Sequence, residues 1–501
     1  FFIYFTGLPA SFEVMGVSVS TFVVLMLVML SLSLFFVFGG GQIAVIIADF
    51  IQGVFTNVVF VILILFFFFS FDWAQIFGSL SAVPAEASLI NPFKTGHVED
   101  FNFWYFLIGV IGFVYNTMSW QGHQAYNASA SSAHESKMAQ VLGNWRNYPR
   151  NLFLMFIPVI AIVVMNHPSF SPIAAKVGAI LNGVGSAEIQ SQIRVPLVLR
   201  FLLPTGLLGA FAAVMLAAFI STHDTYLHSW GSILIQDVIM PFRKKPFSPK
   251  QHIKALRLSI VGVAVFIFLF SLFFQQSQHI YLFFAITGAI FVGGSGAVII
   301  GGLYWKRGTT AAAWTAMIAG STISVAGIIL HQVFENFPIN GQWFWGIAMV
   351  ASSGLYVLVS LLGGKKPFNL DRLLHRGRYA IEGEMNIVSA KPSRGWKILG
   401  MGREFTAGDK FIYVMTYAWI GVWTVIFLAG TVYNLTHDVS DTAWLGYWKI
   451  YVLIYALVSA LVMIWFTIGG IKDMRKMFRQ LAVMGRDDGD DGFVTRDKDK
   501  G

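Results

Sequence analysis

The 501-residue sequence contains no cysteine. Without a thiol, the chain has no disulfide framework, no thiolate metal ligand and no thiol nucleophile. Disulfide-stapled extracellular scaffolds and zinc–cysteine sites are therefore excluded, whereas the redox compartment stays open.

Charged residues are scarce as well. They make up 12% of the chain, against about a quarter in soluble domains, and hydrophobic residues make up 56%. Long apolar runs of this kind predict an all-α integral membrane protein whose surroundings are a lipid bilayer. The net charge of +9 then reflects an excess of basic residues in the loops on one side of the membrane. We therefore expect no nucleic-acid partner.

Several motifs of soluble and energy-coupled enzymes are missing from the sequence. It contains no GxxxxGKS phosphate loop, no HExxH zinc motif and no GxSxG nucleophile motif. ATP-driven transport and zinc proteolysis lose their usual signatures, and we expect neither catalytic residues nor a resident cofactor.

The sequence opens on Phe1 instead of an initiator methionine. Residues 1–8 have neither the basic segment nor the cleavage site of a signal peptide. We expect them to be the end of an earlier helix, in a chain whose N-terminal helices are missing.

Hydropathy predicts about eleven membrane-spanning helices, because each needs about 20 apolar residues. The predicted spans are 17–38, 43–70, 102–125, 150–166, 205–239, 257–275, 280–305, 309–331, 343–363, 411–435 and 443–470.

The basic residues are distributed unevenly over the loops between these spans. Alternating the loops between the two sides gives one side only five of the 34 basic residues: Lys94, Lys176, Arg194, Arg200 and Lys449. The positive-inside rule makes the other side cytoplasmic, together with the C-terminus. The expected location is therefore the plasma (inner) membrane, in a multi-pass topology.

The span 205–239 carries polar side chains near the centre of the bilayer. At 3.6 residues per turn, one face collects Ser221, Asp224, Thr225, His228 and Ser232. An ionised Asp is unfavourable against lipid, so this face is expected to line protein or a water-filled path. Such residues are functional candidates, although a polar seam that holds helices together has the same pattern.

Four segments carry a resemblance to a known family. They are GGGQIAVIIADFIQG (39–53), NTMSWQGHQ (116–124), AAFIST (217–222) and GGLYWKRGTTAAAWTAMIAG (301–320). In this order they resemble the sodium:solute symporter family, which includes the sodium/glucose, sodium/proline and sialic acid symporters.

The resemblance implies the leucine-transporter-type fold, in which two five-helix repeats are inverted relative to each other. The first core helices would be missing, so that residues 1–363 would form a partial transporter core. A cytoplasmic loop (364–410), two C-terminal transmembrane helices (411–470) and a cytoplasmic tail (471–501) would follow.

The family's shared sodium site takes oxygens from the eighth core helix. The corresponding residues here are Ala218, Ser221 and Thr222. Hydroxyl groups beside a freed backbone carbonyl are suitable ligands for a hard cation such as Na⁺. Alternatively, the two hydroxyls bond back to their own helix and have no further role.

Some family members have a second sodium site, which by resemblance falls on Asp49, Ser221, Asp224 and Thr225. Asp224 stands where the family usually has a hydroxyl. Two neighbouring carboxylates repel, so the pair requires either a second Na⁺ or a coupled proton. A structural salt bridge from Asp224 to His228 or His123 is the third possibility.

The resemblance also places substrate contacts at Asn116, Ser119, Trp120 and Gln124. Their spacing puts them on one helix face. The indole offers a flat apolar wall, and the amides offer donors and acceptors for a small polar organic solute. Ser119 stands where sugar-transporting relatives have a gating Tyr. Alternatively, the same spacing is that of a polar seam that only holds helices together.

We therefore expect sodium-coupled symport by alternating access, with Na⁺ and a small-molecule solute as partners. A proton-coupled carrier on the same fold is the first alternative. The second is a polytopic membrane enzyme built on His123, His223, Asp224 and His228. The identity of the solute and the oligomeric state stay open.

Overall fold

The computed structural model describes residues 1–82, 87–98, 100–116, 119–120, 124–274, 279–334, 337–363, 367–374, 377–379, 400–402 and 404–485. Within these residues, nine helices are long and apolar enough to cross a membrane. This confirms the prediction of an all-α integral membrane protein.

The chain divides into two compact units. The first comprises residues 1–82, 144–275 and 445–501, and the second comprises residues 83–143 and 276–444.

The described elements of the first unit are one hairpin and nine helices. They are α1 (Phe2–Thr6), β1 (Ser11–Val14), β2 (Val17–Ser20), α2 (Thr21–Ser70), α3 (Trp73–Leu80), α7 (Tyr148–Asn166), α8 (Ser171–Leu181), α9 (Ala187–Leu202), α10 (Thr205–Ile233), α11 (Pro249–Phe273) and α17 (Asp441–Val483). Helix α10 continues as a π-helix over Leu234–Ile239. Helices α2, α10 and α11 pack against one another.

The described elements of the second unit are helical. They are α4 (Phe103–Tyr115), α5 (Gln124–Ala128), α6 (Ala133–Arg146), α12 (Ile280–Tyr304), α13 (Thr310–Val333), α14 (Gly341–Gly363), α15 (Leu370–Leu373) and α16 (Ala407–Thr436). Helices α12, α13 and α14 form its centre, and α4 packs on α14 and α12.

The 50-residue helix α2 covers two of the predicted spans, 17–38 and 43–70. The two spans meet at a kink at Gly41, whose φ of 54° and ψ of −141° are not helical. Only glycine adopts this backbone conformation readily, so the helix changes direction there. The first of the two spans begins late, at Thr21, because residues 17–20 form strand β2 instead.

The β1–β2 hairpin was not predicted from the sequence. Its strands pair in antiparallel register through a turn at Met15 (φ 52°) and Gly16 (φ 78°). Two successive positive φ values are typical of a type I′ hairpin turn. The usual Asn-Gly signal is absent, because methionine occupies the first position.

Helix α4 is shorter than its predicted span of 102–125. Asn102 caps its start by accepting hydrogen bonds from the backbone N–H groups of Trp104 and Tyr105. The helix ends at Tyr115 after 13 residues, fewer than a membrane crossing requires. Tyr115 is fixed there, because its hydroxyl donates to the Gly293 carbonyl at 2.6 Å.

Part of the predicted 364–410 loop packs on helix α6. Met401, Phe405 and Tyr413 form an apolar cluster with Met138 and Val141. This contact fixes the start of helix α16 within the second unit. The predicted domain boundaries themselves stay predictions.

Lys137 completes this contact. Its ammonium donates to the Gly400 carbonyl at 3.0 Å, and it lies 5.3 and 4.8 Å from the ring centroids of Phe405 and Tyr413. Both ring distances are within the range of a cation–π interaction.

Helices α12 and α13 cross at glycine residues. A Cβ atom on Gly320 would lie 2.6 Å from the carbonyl carbon of Gly293 and 3.0 Å from Cα of Gly294. These neighbours are backbone atoms, which cannot rotate away. The two helices therefore approach backbone to backbone, as small residues permit in membrane proteins.

We expect Gly320→Val to separate α12 from α13 and to destabilise the protein by about 1–3 kcal/mol, the usual cost of overpacking. The measurement is the midpoint of thermal unfolding in detergent. Gly354→Val is the matched control, because a Cβ atom on Gly354 meets nothing within 4 Å. Equal midpoints for the two variants would contradict the close approach.

Candidate ion site and solute-contact residues

A carboxylate and two hydroxyls meet between helices α2 and α10. The Ser221 hydroxyl donates to Oδ1 of Asp49 at 2.5 Å, and the Thr225 hydroxyl donates to its Oδ2 at 3.4 Å. Ser221 and Thr225 are four residues apart, so both lie on the face of α10 that meets α2. We call Asp49, Ser221, Asp224 and Thr225 the carboxylate cluster.

Asp224 is the most buried member of this cluster, with 0% of its surface exposed. Apart from the adjacent Thr225, no described residue acts on its carboxylate oxygens as a hydrogen-bond donor. The charge of Asp49 acts on it directly. An ionised carboxylate in such surroundings is unfavourable without a compensating charge.

Within the described residues the ion pairs are Lys94–Asp438 and His134–Asp409, so the salt bridge considered between Asp224 and His228 is not among them. His123, its other suggested partner, lies outside the described residues. His223 is turned toward its own helix, where its ring stacks on Phe219 at 3.8 Å between centroids and Nδ1 lies 2.9 Å from the Phe219 carbonyl.

The predicted sodium ligands Ala218, Ser221 and Thr222 are in two places. Ser221 faces Asp49, whereas the hydroxyl of Thr222 donates to the Ala218 carbonyl at 2.8 Å. Ala218 and Thr222 are both exposed. In this arrangement Ala218 and Thr222 are hydrogen-bonded to each other within their own helix. Only Ser221 belongs to the carboxylate cluster.

Sequence reasoning missed one cation near this cluster. Arg146 is the last residue of α6 but belongs to the first unit, as Asp49 does, and its charge acts on that carboxylate. Its guanidinium lies beside Gly53, one turn along α2 from Asp49, at 3.6 Å from the position that a Cβ atom would take. From the sequence, Arg146 was predicted only to lie in the loop between the spans 102–125 and 150–166.

The predicted solute contacts lie in the second unit, around the end of α4. The Ser119 N–H donates to the Asn116 carbonyl at 3.0 Å. Ser119 is 4% exposed, and the Trp120 ring meets Phe291 edge to face at 5.7 Å. Gln124 begins helix α5, and its side chain lies outside the described residues.

An open groove of about 470 Å³, several of whose lining rings are more than half exposed, lies between α4, α12 and α14 of the second unit. Asn116 is part of its lining, whereas Ser119 and Trp120 are not. The structure therefore brings one predicted solute contact to a space large enough for a small molecule.

The chain is similar to a curated protein and to a solved structure. An uncharacterized symporter, H16_A2524, of Cupriavidus necator is 27% identical over 184 residues, which are 34% of this chain and 26% of that protein. The chain thus spans about a quarter of this relative's length. A solved structure of a Na⁺-coupled sialic acid symporter, substrate-bound and outward-open, has 18% identity and a TM-score of 0.49, and the match covers 74% of this chain and 71% of that one.

A family model gives the decisive match. The model of the sodium:solute symporter family covers residues 12–320, more than half of the chain. This range contains the carboxylate cluster, the residues around Asn116 and all four segments that carried the resemblance. The chain therefore belongs to the sodium:solute symporter family.

Proposed function

We propose that this chain performs sodium-coupled symport of a small organic solute by alternating access. The observation that carries the proposal is the convergence of the Ser221 and Thr225 hydroxyls on the Asp49 carboxylate, beside the fully buried Asp224. All four groups present oxygen, the ligand atom that hard cations prefer.

Na⁺ would be held by these oxygens and by those of Ala218 and Thr222. The Thr222 hydroxyl bonds only within its own helix, so a rotation about its χ1 angle would release both its own oxygen and the Ala218 carbonyl toward an ion. At the carboxylate cluster, a cation would supply the positive counter-charge that an ionised Asp224 needs. The residues present therefore fit one or two sodium ions.

The solute would bind around Asn116, Ser119, Trp120 and Gln124, and Na⁺ would favour the conformation that binds it. An ion shifts such an equilibrium only through its different affinities for the two conformations. We place the transporter in the plasma membrane with its C-terminus in the cytoplasm, as the distribution of basic residues indicates.

Proton coupling is the second candidate function, and the burial of Asp224 favours it. A proton on Asp224 would remove the uncompensated charge as effectively as a cation would. In that case the carboxylate cluster would exchange protons, and Na⁺ would have no effect on it.

A sodium titration of the purified protein distinguishes the two functions. We expect the midpoint of thermal unfolding to rise with NaCl and to saturate, because a ligand that binds only the folded state stabilises it by RT ln(1 + [L]/Kd). Choline chloride at the same ionic strength and pH is the control. A midpoint that is the same in both salts but changes with pH would favour the proton carrier.

A further inference from the structure

Residues 243–257, which connect the end of α10 to the first turns of α11, form a strongly basic segment. It has no acidic residue and six basic ones: Arg243, Lys244, Lys245, Lys250, Lys254 and Arg257. All six are exposed. The ion pairs of the described part of the chain, Lys94–Asp438 and His134–Asp409, involve none of them. The basic segment therefore has a positive charge that no described carboxylate compensates.

A series of contacts holds the basic segment against the end of α10. The Arg243 guanidinium lies 3.8 Å from the ring centroid of Phe247. The Phe247 ring is stacked on His252 at 5.9 Å between centroids, and Nε2 of His252 lies 3.1 Å from Nε2 of Gln236 in the π-helix. These contacts occupy Arg243 and leave the cations of α11 on the outside.

Three of the cations lie on one face of α11. Lys250, Lys254 and Arg257 are spaced by four and three residues, so they occupy successive turns on the same side of the helix. The same side continues with Val261 and Val265, which are 36% and 50% exposed. We call these five residues the α11 face. It changes from basic to apolar within about 6 Å along the helix axis.

Such a face matches the boundary between lipid headgroups and acyl chains. Lys and Arg side chains are favourable at the level of the phosphates and unfavourable in the hydrocarbon, whereas exposed valines are favourable against acyl chains. Phe242, directly before the basic segment, is 87% exposed, and aromatic side chains are typical of the same boundary. The bilayer therefore covers the valines, and the cations are at the depth of its phosphates.

Helix α2, which packs against α11, lies beside the last cation of this face. The Arg257 guanidinium is 5.9 Å from the ring centroid of Phe38 on α2, within the range of a cation–π interaction. A guanidinium that lies over a ring keeps its N–H groups in its own plane, where they can bind a phosphate in bidentate fashion. The ring contact thus positions Arg257 without using its donors.

We propose that the start of α11 binds an anionic phospholipid, with the phosphate at Lys250, Lys254 and Arg257 and an acyl chain along Val261 and Val265. The uncompensated positive charge selects a headgroup with a net negative charge over a zwitterionic one. The apolar half of the α11 face selects a lipid over a soluble anion. This binding is independent of the ion and the solute that the chain transports.

The test titrates the purified chain in detergent with phosphatidylglycerol and follows the midpoint of thermal unfolding. Phosphatidylcholine with the same acyl chains and inorganic phosphate are the two comparison probes. We expect phosphatidylglycerol to raise the midpoint saturably, and the comparison probes to leave it unchanged. The response should weaken as choline chloride is added, because salt screens exposed charges.

Two charge-matched double variants locate the site. Lys254→Gln/Arg257→Gln is expected to raise the half-saturating phosphatidylglycerol concentration about tenfold or more, because each cation near an anionic lipid contributes about fivefold. Lys244→Gln/Lys245→Gln removes the same charge from the same segment but outside the α11 face, and it should bind as the wild type does. Lys250→Gln/Lys254→Gln keeps Arg257 in place, so it tests the face even if the first variant misfolds.

Three results would overturn the proposal. Equal stabilisation by phosphatidylglycerol and phosphatidylcholine would show that the face takes any lipid and does not select a charge. Equal losses in Lys254→Gln/Arg257→Gln and Lys244→Gln/Lys245→Gln would assign the effect to the net charge of the basic segment. Stabilisation by inorganic phosphate that equals that by phosphatidylglycerol would identify an adventitious ion only.

Discussion

Asp49→Asn is expected to lower the apparent Na⁺ affinity about tenfold or more, equivalent to about 1.4 kcal/mol of binding free energy. Asn has the same shape and retains one acceptor for the Ser221 hydroxyl, but it lacks the negative charge and the second acceptor that Thr225 uses. The measurement is the NaCl concentration that gives half of the maximal rise in the unfolding midpoint.

Arg146 complicates this variant, because it acts electrostatically on Asp49 in the wild type. Removing the carboxylate leaves the guanidinium without that neighbour, which by itself would repel Na⁺. The double variant Asp49→Asn/Arg146→Gln separates the two effects. If Asp49 is a sodium ligand, the double variant stays insensitive to Na⁺, whereas recovery of the Na⁺ response would assign the loss to Arg146.

Asp224→Asn is expected to raise the stability of the sodium-free protein and to reduce its response to Na⁺. The wild-type carboxylate is fully buried beside Asp49, and the amide keeps its shape while it removes the buried charge and the repulsion between the two carboxylates. The unfolding midpoint in choline chloride should therefore lie above that of the wild type. Asp237→Asn is the control, since Asp237 is exposed in the π-helix that follows α10.

The same variant distinguishes Na⁺ from a proton at the carboxylate cluster. In proteoliposomes across a pH series, a bound second Na⁺ predicts that Asp224→Asn moves fewer charges per solute at every pH. A coupled proton predicts that the variant loses the pH dependence of uptake. An unchanged charge ratio together with an unchanged pH profile would leave Asp224 with a structural role only.

The family and the class of fold were predictable because their signals are local in the sequence. The apolar runs are continuous over the length of a bilayer, and the four family segments are short and contiguous. The match over residues 12–320 confirms the family. The nine long apolar helices among the described residues confirm the all-α membrane class.

The carboxylate cluster was predictable in part. Helical spacing alone places Ser221, Asp224 and Thr225 on one face, and the resemblance supplied Asp49 on the facing helix. Helical spacing cannot show which hydroxyl reaches the partner helix and which bonds back within its own. Only the structure shows that the Ser221 hydroxyl reaches Asp49, whereas the Thr222 hydroxyl bonds within its own helix.

Other features depend on contacts between distant parts of the chain. The charge of Arg146 acts on Asp49, almost a hundred positions away in the sequence. No local sequence pattern predicts this interaction. The early end of α4 is only partly of this kind, because the residues after Tyr115, NTMSWQGHQ, are mostly polar, while the hydroxyl of Tyr115 is fixed on helix α12. Hydropathy measures the preference for lipid and not the continuity of a helix.

Gly41 and Gly320 constrain the evolution of this chain in different ways. At Gly320 the obstacle is the facing backbone of Gly293 and Gly294, so selection acts on the volume of the side chain at position 320, and α12 already has its smallest residues there. At Gly41 nothing lies within 4 Å of an added Cβ atom, so the obstacle is the handedness of L-amino acids in that backbone conformation. Alanine and tryptophan are then almost equally disfavoured, and no second-site substitution in a neighbouring helix can relieve either.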